Sequence, residues 1–173
     1  MILTVAEGSG VVEALGKVAE PWATIYSHSK VVSAAVTYFH IVPLILSGGL
    51  AVATDRATFR VMKSGIDQRA AHIRQFGPVH MTVIIGLVFS LASGVLLLLA
   101  DVEALLGSIY FWIKLGLVFL LVVNGFAIIR TEKAIDGSGK DAAGWDRMRM
   151  HAVFSVFLWL ATTLAGVVLK EFA

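Results

Sequence analysis

The chain has no cysteine. Disulfides, thiolate metal sites and cysteine nucleophiles are therefore excluded, and iron–sulfur clusters lose their usual ligands. Charge is scarce too. Only 15% of residues are charged, where soluble domains carry about a quarter, so most of the chain must lie where charge is not tolerated. No nucleotide-binding motif, nucleophile triad or carboxylate pair is present, and no internal repeat or low-complexity tract. The net charge of +2 says little; the placement of the charges says more.

What is abundant is apolar sequence, 58% of residues, gathered into four runs. A helix crosses a hydrocarbon core with ~20 apolar residues. Val31–Thr54 has no formal charge and one histidine, His40. Pro78–Ala100 is uncharged apart from His80 at its start, Ile109–Ile129 carries only Lys114, and His151–Leu169 begins with His151. Backbone groups in lipid must be satisfied within their own segment, so helices are expected. The predicted fold is all-α: an integral membrane up-down four-helix bundle over residues 31–173, preceded at 1–30 by a short amphipathic surface helix.

Pro43 removes a helical hydrogen bond and clashes with the carbonyl four residues earlier, that of Phe39. A bend just after His40 is expected, with Gly48 and Gly49 adding slack. The second run has a small residue at every fourth position, Thr82, Gly86, Ser90 and Gly94, a pattern that lets helices approach closely in lipid.

The connections set the orientation. Arg56, Arg60, Lys63, Arg69, Arg74, Arg130, Lys133, Lys140, Arg147 and Arg149 fall on one side, and Lys17, Lys30 and Lys170 on the other. Basic residues stay inside, so a cytoplasmic (inner) membrane location is expected, with both termini outside. The first thirty residues lack the basic start, short apolar run and small-residue cleavage site of a signal peptide. Val11, Val12, Leu15, Val18, Ala19 and Trp22 share one helical face, with Glu13, Lys17 and Glu20 elsewhere. An amphipathic helix on the outer membrane surface is expected; a loosely ordered tail is the alternative.

Ionisable groups inside a span usually face the bundle interior and often mark function. His40 lies roughly 13 Å from the outer end of its helix and Lys114 roughly 7 Å. His80 and His151 lie within a turn of the cytoplasmic face. Ser33, Thr37, His40, Leu44, Ser47, Ala51 and Thr54 share a small, polar face, as do His151, Ser155, Leu158, Thr162 and Ala165, so both histidines are expected to point inward. The direction of His80, which shares a face with Ile84 and Leu91, stays open. An up-down bundle sets the second span opposite the fourth. His80 and His151 then oppose each other and can ligate a haem iron from both sides; His40 is the best single ligand. The bland alternatives are interfacial histidines at 80 and 151, an imidazole at 40 that satisfies a freed carbonyl, and a Lys114 that snorkels outward. His28 and His72 fall in connections, where solvation is the default.

Some of these residues form a recognisable pattern. Phe39-His40-Ile41-Val42, then Gly48-Gly49, Arg56 and Arg60, resembles the first helix of the bacterial membrane protoporphyrinogen oxidases of the HemJ type, and the copper-resistance CopD membrane proteins look similar. Tyr110-Phe111-Trp112-Ile113-Lys114-Leu115 resembles the Trp-x-x-Lys-Leu opening of a later helix in that group. The resemblance covers the four spans. By position it implies that His40 matches the family's haem-linked histidine and Lys114 its functional lysine. Trp112 stands where the oxidases often carry a histidine, and the long N-terminal extension is also a departure.

The function expected is a haem-b-binding, cytochrome b-like membrane protein for redox chemistry or electron transfer. Haem iron would be held by His40 or by His80 and His151, with Lys114 facing a propionate or an anionic substrate. The alternatives are a cofactor-free accessory subunit of a larger membrane complex and an enzyme that oxidises a porphyrinogen. The expected partners are the lipid bilayer, a quinone or porphyrin, and a larger complex or a second copy. The basic loops suit anionic lipid heads, and nucleic acid is not implied.

The orientation generates a first prediction. Topology reporters inserted between Asp55 and Gly77 should read cytoplasmic, and one fused after Ala173 should read external. A cytoplasmic C-terminus would mean an odd number of crossings.

Overall fold

The structure, a computed structural model, describes residues 2–135 and 142–172. They form six helices and no strand: α1 (Ile2–His28), α2 (Lys30–Val61), α3 (Ile66–Ala100), α4 (Val102–Gly107), α5 (Ile109–Ala134) and α6 (Ala142–Phe172). The breaks are short and chemically marked. Ser29 adopts extended backbone and its hydroxyl caps α2 by accepting from the Val32 amide. Asp101 closes α3 and caps α4 by accepting from the Ala104 amide at 3.2 Å. Ser108 is extended and separates α4 from α5.

Four of these helices, α2, α3, α5 and α6, are long and apolar enough to cross a membrane. They overrun the apolar sequence runs. The stretches expected as long basic loops are mostly helical: α2 runs on to Val61, and α3 begins at Ile66, twelve residues before its apolar run. Hydropathy marks where a helix is apolar, not where it ends. Gln68–Ala71 is built from good helix formers, and Ala70 and Ile73 bury their side chains. At this basic end Ile73, Ile128, Ile135, Trp145 and Met148 form one cluster, with Val61 and Met62 packed on it. The Arg69 guanidinium lies 5.5 Å over the Trp145 ring and donates to the Met62 carbonyl. Lys140, counted among the basic residues of this side, lies outside the described residues.

The N-terminal helix is not short: α1 has 27 residues, because Pro21 interrupts too little to end it. It packs on α3 and α4 and has three faces. Gly16, Ala19, Ala23 and Tyr26 turn toward the rest of the molecule, and the Trp22 indole donates to the Leu96 carbonyl at 2.8 Å. Val11, Leu15, Val18 and Ile25 form an exposed apolar stripe. Glu13, Lys17 and Glu20 form a third, polar face.

Among the long helices, α2 packs along α3 and also against α6, and α5 packs along α6. Glycines allow the closest approaches. A methyl group at Gly86 would strike the Ser47 hydroxyl and lie 3.1 Å from the Pro43 carbonyl oxygen; one at Gly48 would lie 2.8 Å from Trp159 Cε3. The Trp159 ring is thus seated on Gly48, in an apolar cluster with Leu121 and Leu158. Outward faces are apolar: Phe89, Phe119, Phe126, Phe157, Leu160 and Leu164 are all more than half exposed.

Gly86→Ala and Gly48→Ala should each destabilise the fold by about 1–3 kcal/mol through overpacking. Gly49→Ala, which faces open space, should leave thermal unfolding in detergent unchanged or slightly raised. Equal melting of all three variants would contradict the close α2 contacts.

Candidate functional site

The best-defined polar site lies where α2 crosses α3. Pro43 lacks an amide proton, so the Phe39 carbonyl has no helical partner. The Ser93 hydroxyl of α3 lies 3.2 Å from that oxygen, within donating distance, and the Ser90 hydroxyl donates to the His40 carbonyl at 3.3 Å. His40 Nδ1 is 2.9 Å from the Ser90 carbonyl and 3.3 Å from the Ser93 hydroxyl. A carbonyl only accepts, so Nδ1 carries the proton and Nε2 keeps its lone pair. Among the described residues nothing bonds Nε2. Gly94 lies beside the ring; a methyl group there would sit 3.2 Å from His40 Cε1.

Lys114 shares this level. Its Nζ lies against Gly166 of α6, where a methyl group would be 3.6 Å away, and its charge is within electrostatic range of His40. Among the described residues it forms no ion pair. Lys114 thus stands within electrostatic range of His40, on a helix that has at most slight contact with α2. Trp112, at the position of the oxidases' histidine, is half exposed, and its indole donates to the Leu106 carbonyl at 3.0 Å.

The other two histidines turn to α5. His80 Nδ1 is 3.2 Å from Glu132 Oε2, with both side chains mostly buried. His151 Nδ1 is 3.2 Å from Asn124 Oδ1, and Asn124 Nδ2 donates to the His151 carbonyl at 3.1 Å. The second bond fixes the amide orientation, so Oδ1 accepts and His151 Nδ1 donates. Asn124 and Glu132 are eight residues apart, about 12 Å of helix rise. The two rings are therefore anchored at different heights on α5, which does not favour a single iron clamped between them. The inward direction expected for His151 holds, since Ser155, Leu158 and Thr162 on its face are buried. On α3 the buried face is Ser90 and Ser93, while Ile84 and Leu91 are exposed.

His72 is not in a loop. It lies in α3, with Nε2 2.9 Å from the Thr58 hydroxyl. His28 is exposed, with Nδ1 2.9 Å from the Thr24 carbonyl. The residue that sequence reasoning missed is Asp55. It is the first charge after an apolar run and reads as the opening of a loop, yet it is 6% exposed and lies near Ser155 of α6. Ser93, Glu132 and Gly166 were also passed over. Only Ser93 left a signal, three residues beyond Ser90 on the small face of α3.

Comparison with protein-family models, with curated proteins and with solved structures returned no match.

The tautomer is directly measurable. Nitrogen-15 spectra of histidine-labelled protein should show His40 neutral with the proton on Nδ1. Ser93→Ala should not change this, because the Ser90 carbonyl remains. A proton on Nε2 would remove the free lone pair.

Proposed function

We propose that this chain is an integral membrane protein that binds haem b and serves redox chemistry or electron transfer, with His40 as the residue that would hold the iron. The four long apolar helices and their outward phenylalanines and leucines support a bilayer setting, because packing in lipid relies on small and hydroxyl residues inside. The bundle arrangement and inner-membrane location belong to this reading.

One observation carries the cofactor: the backbone bond that fixes the His40 proton on Nδ1 and leaves Nε2 open. Histidines that ligate metals usually donate their other ring N–H to a carbonyl or carboxylate. The residues present fit a haem. A neutral imidazole supplies the ligand, and the unpaired Lys114 suits a propionate. The His40 ring packs on Gly94 and the Lys114 ammonium on Gly166, so both groups are seated on bare backbone. When bound, haem would supply one-electron chemistry. The chain's own part is to orient the imidazole through Ser90, hold a cation opposite it and exclude water with an apolar surround. A porphyrin or a quinone as the reacting partner is compatible with this donor set.

The accessory-subunit reading has one observation of its own, the exposed apolar stripe of α1. That stripe equally suits the membrane surface.

Protein produced with ample haem should be coloured, and the dithionite-reduced spectrum should show an α band. His40→Ala should lose most of the haem. Lys114→Ala should keep His40 ligation but bind haem about tenfold more weakly or shift its potential, as expected for one lost charge-assisted contact. Colourless protein would end the cytochrome reading in favour of the accessory subunit. Haem loss in His80→Ala or His151→Ala, with His40→Ala unaffected, would move the ligand set to the basic end.

A further inference from the structure

At the basic end of the α2–α6 contact, Asp55 is 6% exposed and Ser155, against which it lies, is 4% exposed. Asp55 Oδ2 is buried, and among the described residues it has no hydrogen-bond partner. The titratable or charged groups at this end of the helices packed against α2 are Asp67, Arg69, His72, Arg74 and His80 of α3 and Asp146, Arg147, Arg149 and His151 of α6. Among the described residues none of them pairs with Asp55. On its own helix, Arg56 and Arg60 are exposed.

A buried ionised carboxylate with no cation paired to it among the described residues is costly. The neutral acid leaves only a single hydroxyl unsatisfied, a much smaller cost. A recess also opens on another face of this stretch of α2. It has a volume of about 190 Å³ and is lined by Ala53, Thr54, Ala57, His72, Gln75 and Val79. His72, in its wall, bonds the Thr58 hydroxyl at 2.9 Å. Thr58 is 1% exposed and three residues beyond Asp55, so the two occupy neighbouring positions on α2.

We propose that Asp55 is a proton-binding site of this protein, at the basic end of the α2–α6 contact. The step is a simple protonation: solvent water supplies a proton, the Asp55 carboxylate accepts it, and no electron moves. The bound state is a neutral acid facing Ser155 at the α2–α6 contact. The released state is a carboxylate that loosens that contact. The site does not rest on the haem reading, since it is built from other residues.

The test uses the full chain in native membranes and in detergent, with dicyclohexylcarbodiimide, a reagent that couples to protonated carboxyls in apolar surroundings. The expected result is an adduct on the Asp55 peptide that fades severalfold as pH rises, and that is missing from Asp55→Asn. Asp55→Asn, which has the shape of the neutral acid, should fold and bind whatever haem the wild type binds. The melting temperature of the wild type should fall with rising pH relative to Asp55→Asn. No adduct at Asp55 together with parallel melting curves would overturn the proposal. So would an adduct independent of pH, because that site would not exchange its proton.

Discussion

The close approach of α2 to α3 is the constraint from which the rest of the site follows. Pro43 leaves the Phe39 carbonyl without its helical donor, and an unsatisfied carbonyl in apolar surroundings costs several kcal/mol. The Ser93 hydroxyl of α3 reaches to 3.2 Å from that oxygen, sharing its single proton between it and the nearer Phe89 carbonyl of its own helix, 2.7 Å away. It can do so only if the two backbones come close, which the hydrogen atom of Gly86 and the small side chain of Ser90 permit. Once they are close, the His40 ring meets the Ser90 carbonyl and must donate to it. The open nitrogen of His40 is thus a consequence of how a proline-containing helix is made whole. A site of this kind is held by backbone geometry, so it tolerates side-chain change around it better than change at the glycines.

The contact of α2 with α6 then sorts the interior into levels. These helices run in opposite directions, and the register reads from Asp55 on Ser155 to Trp159 on Gly48. Continuing the register brings Gly166 to the height of His40. Lys114 belongs to α5, which has at most slight contact with α2, so its charge reaches this level only as a long side chain laid over a glycine. A methyl group at 166 would make ordinary van der Waals contact with that ammonium, at 3.6 Å from Nζ. Trp159, with Leu121 and Leu158 around it, fills the middle and separates the two polar levels with apolar volume.

Much of this is written in the sequence because it is periodic. The four spans and the inward faces of His40 and His151 follow from spacing alone, and so does the small-residue stripe on α3. The lost information is of another kind. Asp55 looks like a loop residue because a charge after an apolar run normally meets water; its burial depends on Ser155, one hundred residues away. The heights of His80 and His151 were counted from the ends of apolar runs, but α3 and α6 extend beyond those runs, and the anchors on α5 set the rings at different levels. Ser93 is one hydroxyl among apolar neighbours until the carbonyl opposite it is known. Periodicity gives direction around a helix. It does not give the partner across the contact.

The separation of the two levels also decides how far they can influence each other. His40 and Asp55 are fifteen residues apart on one helix, about 22 Å. At that distance two unit charges in an effective dielectric of about 20 interact by roughly 0.8 kcal/mol, less than a fourfold change in a proton affinity. Direct electrostatics therefore cannot make one level command the other. Stronger coupling would have to be mechanical, through the α2–α6 contact, where the Trp159 ring sits tightly on Gly48. A charge change at Asp55 that loosens its end of the contact would lift α6 from α2 at that ring first, and only then disturb Gly166 and the lysine above it.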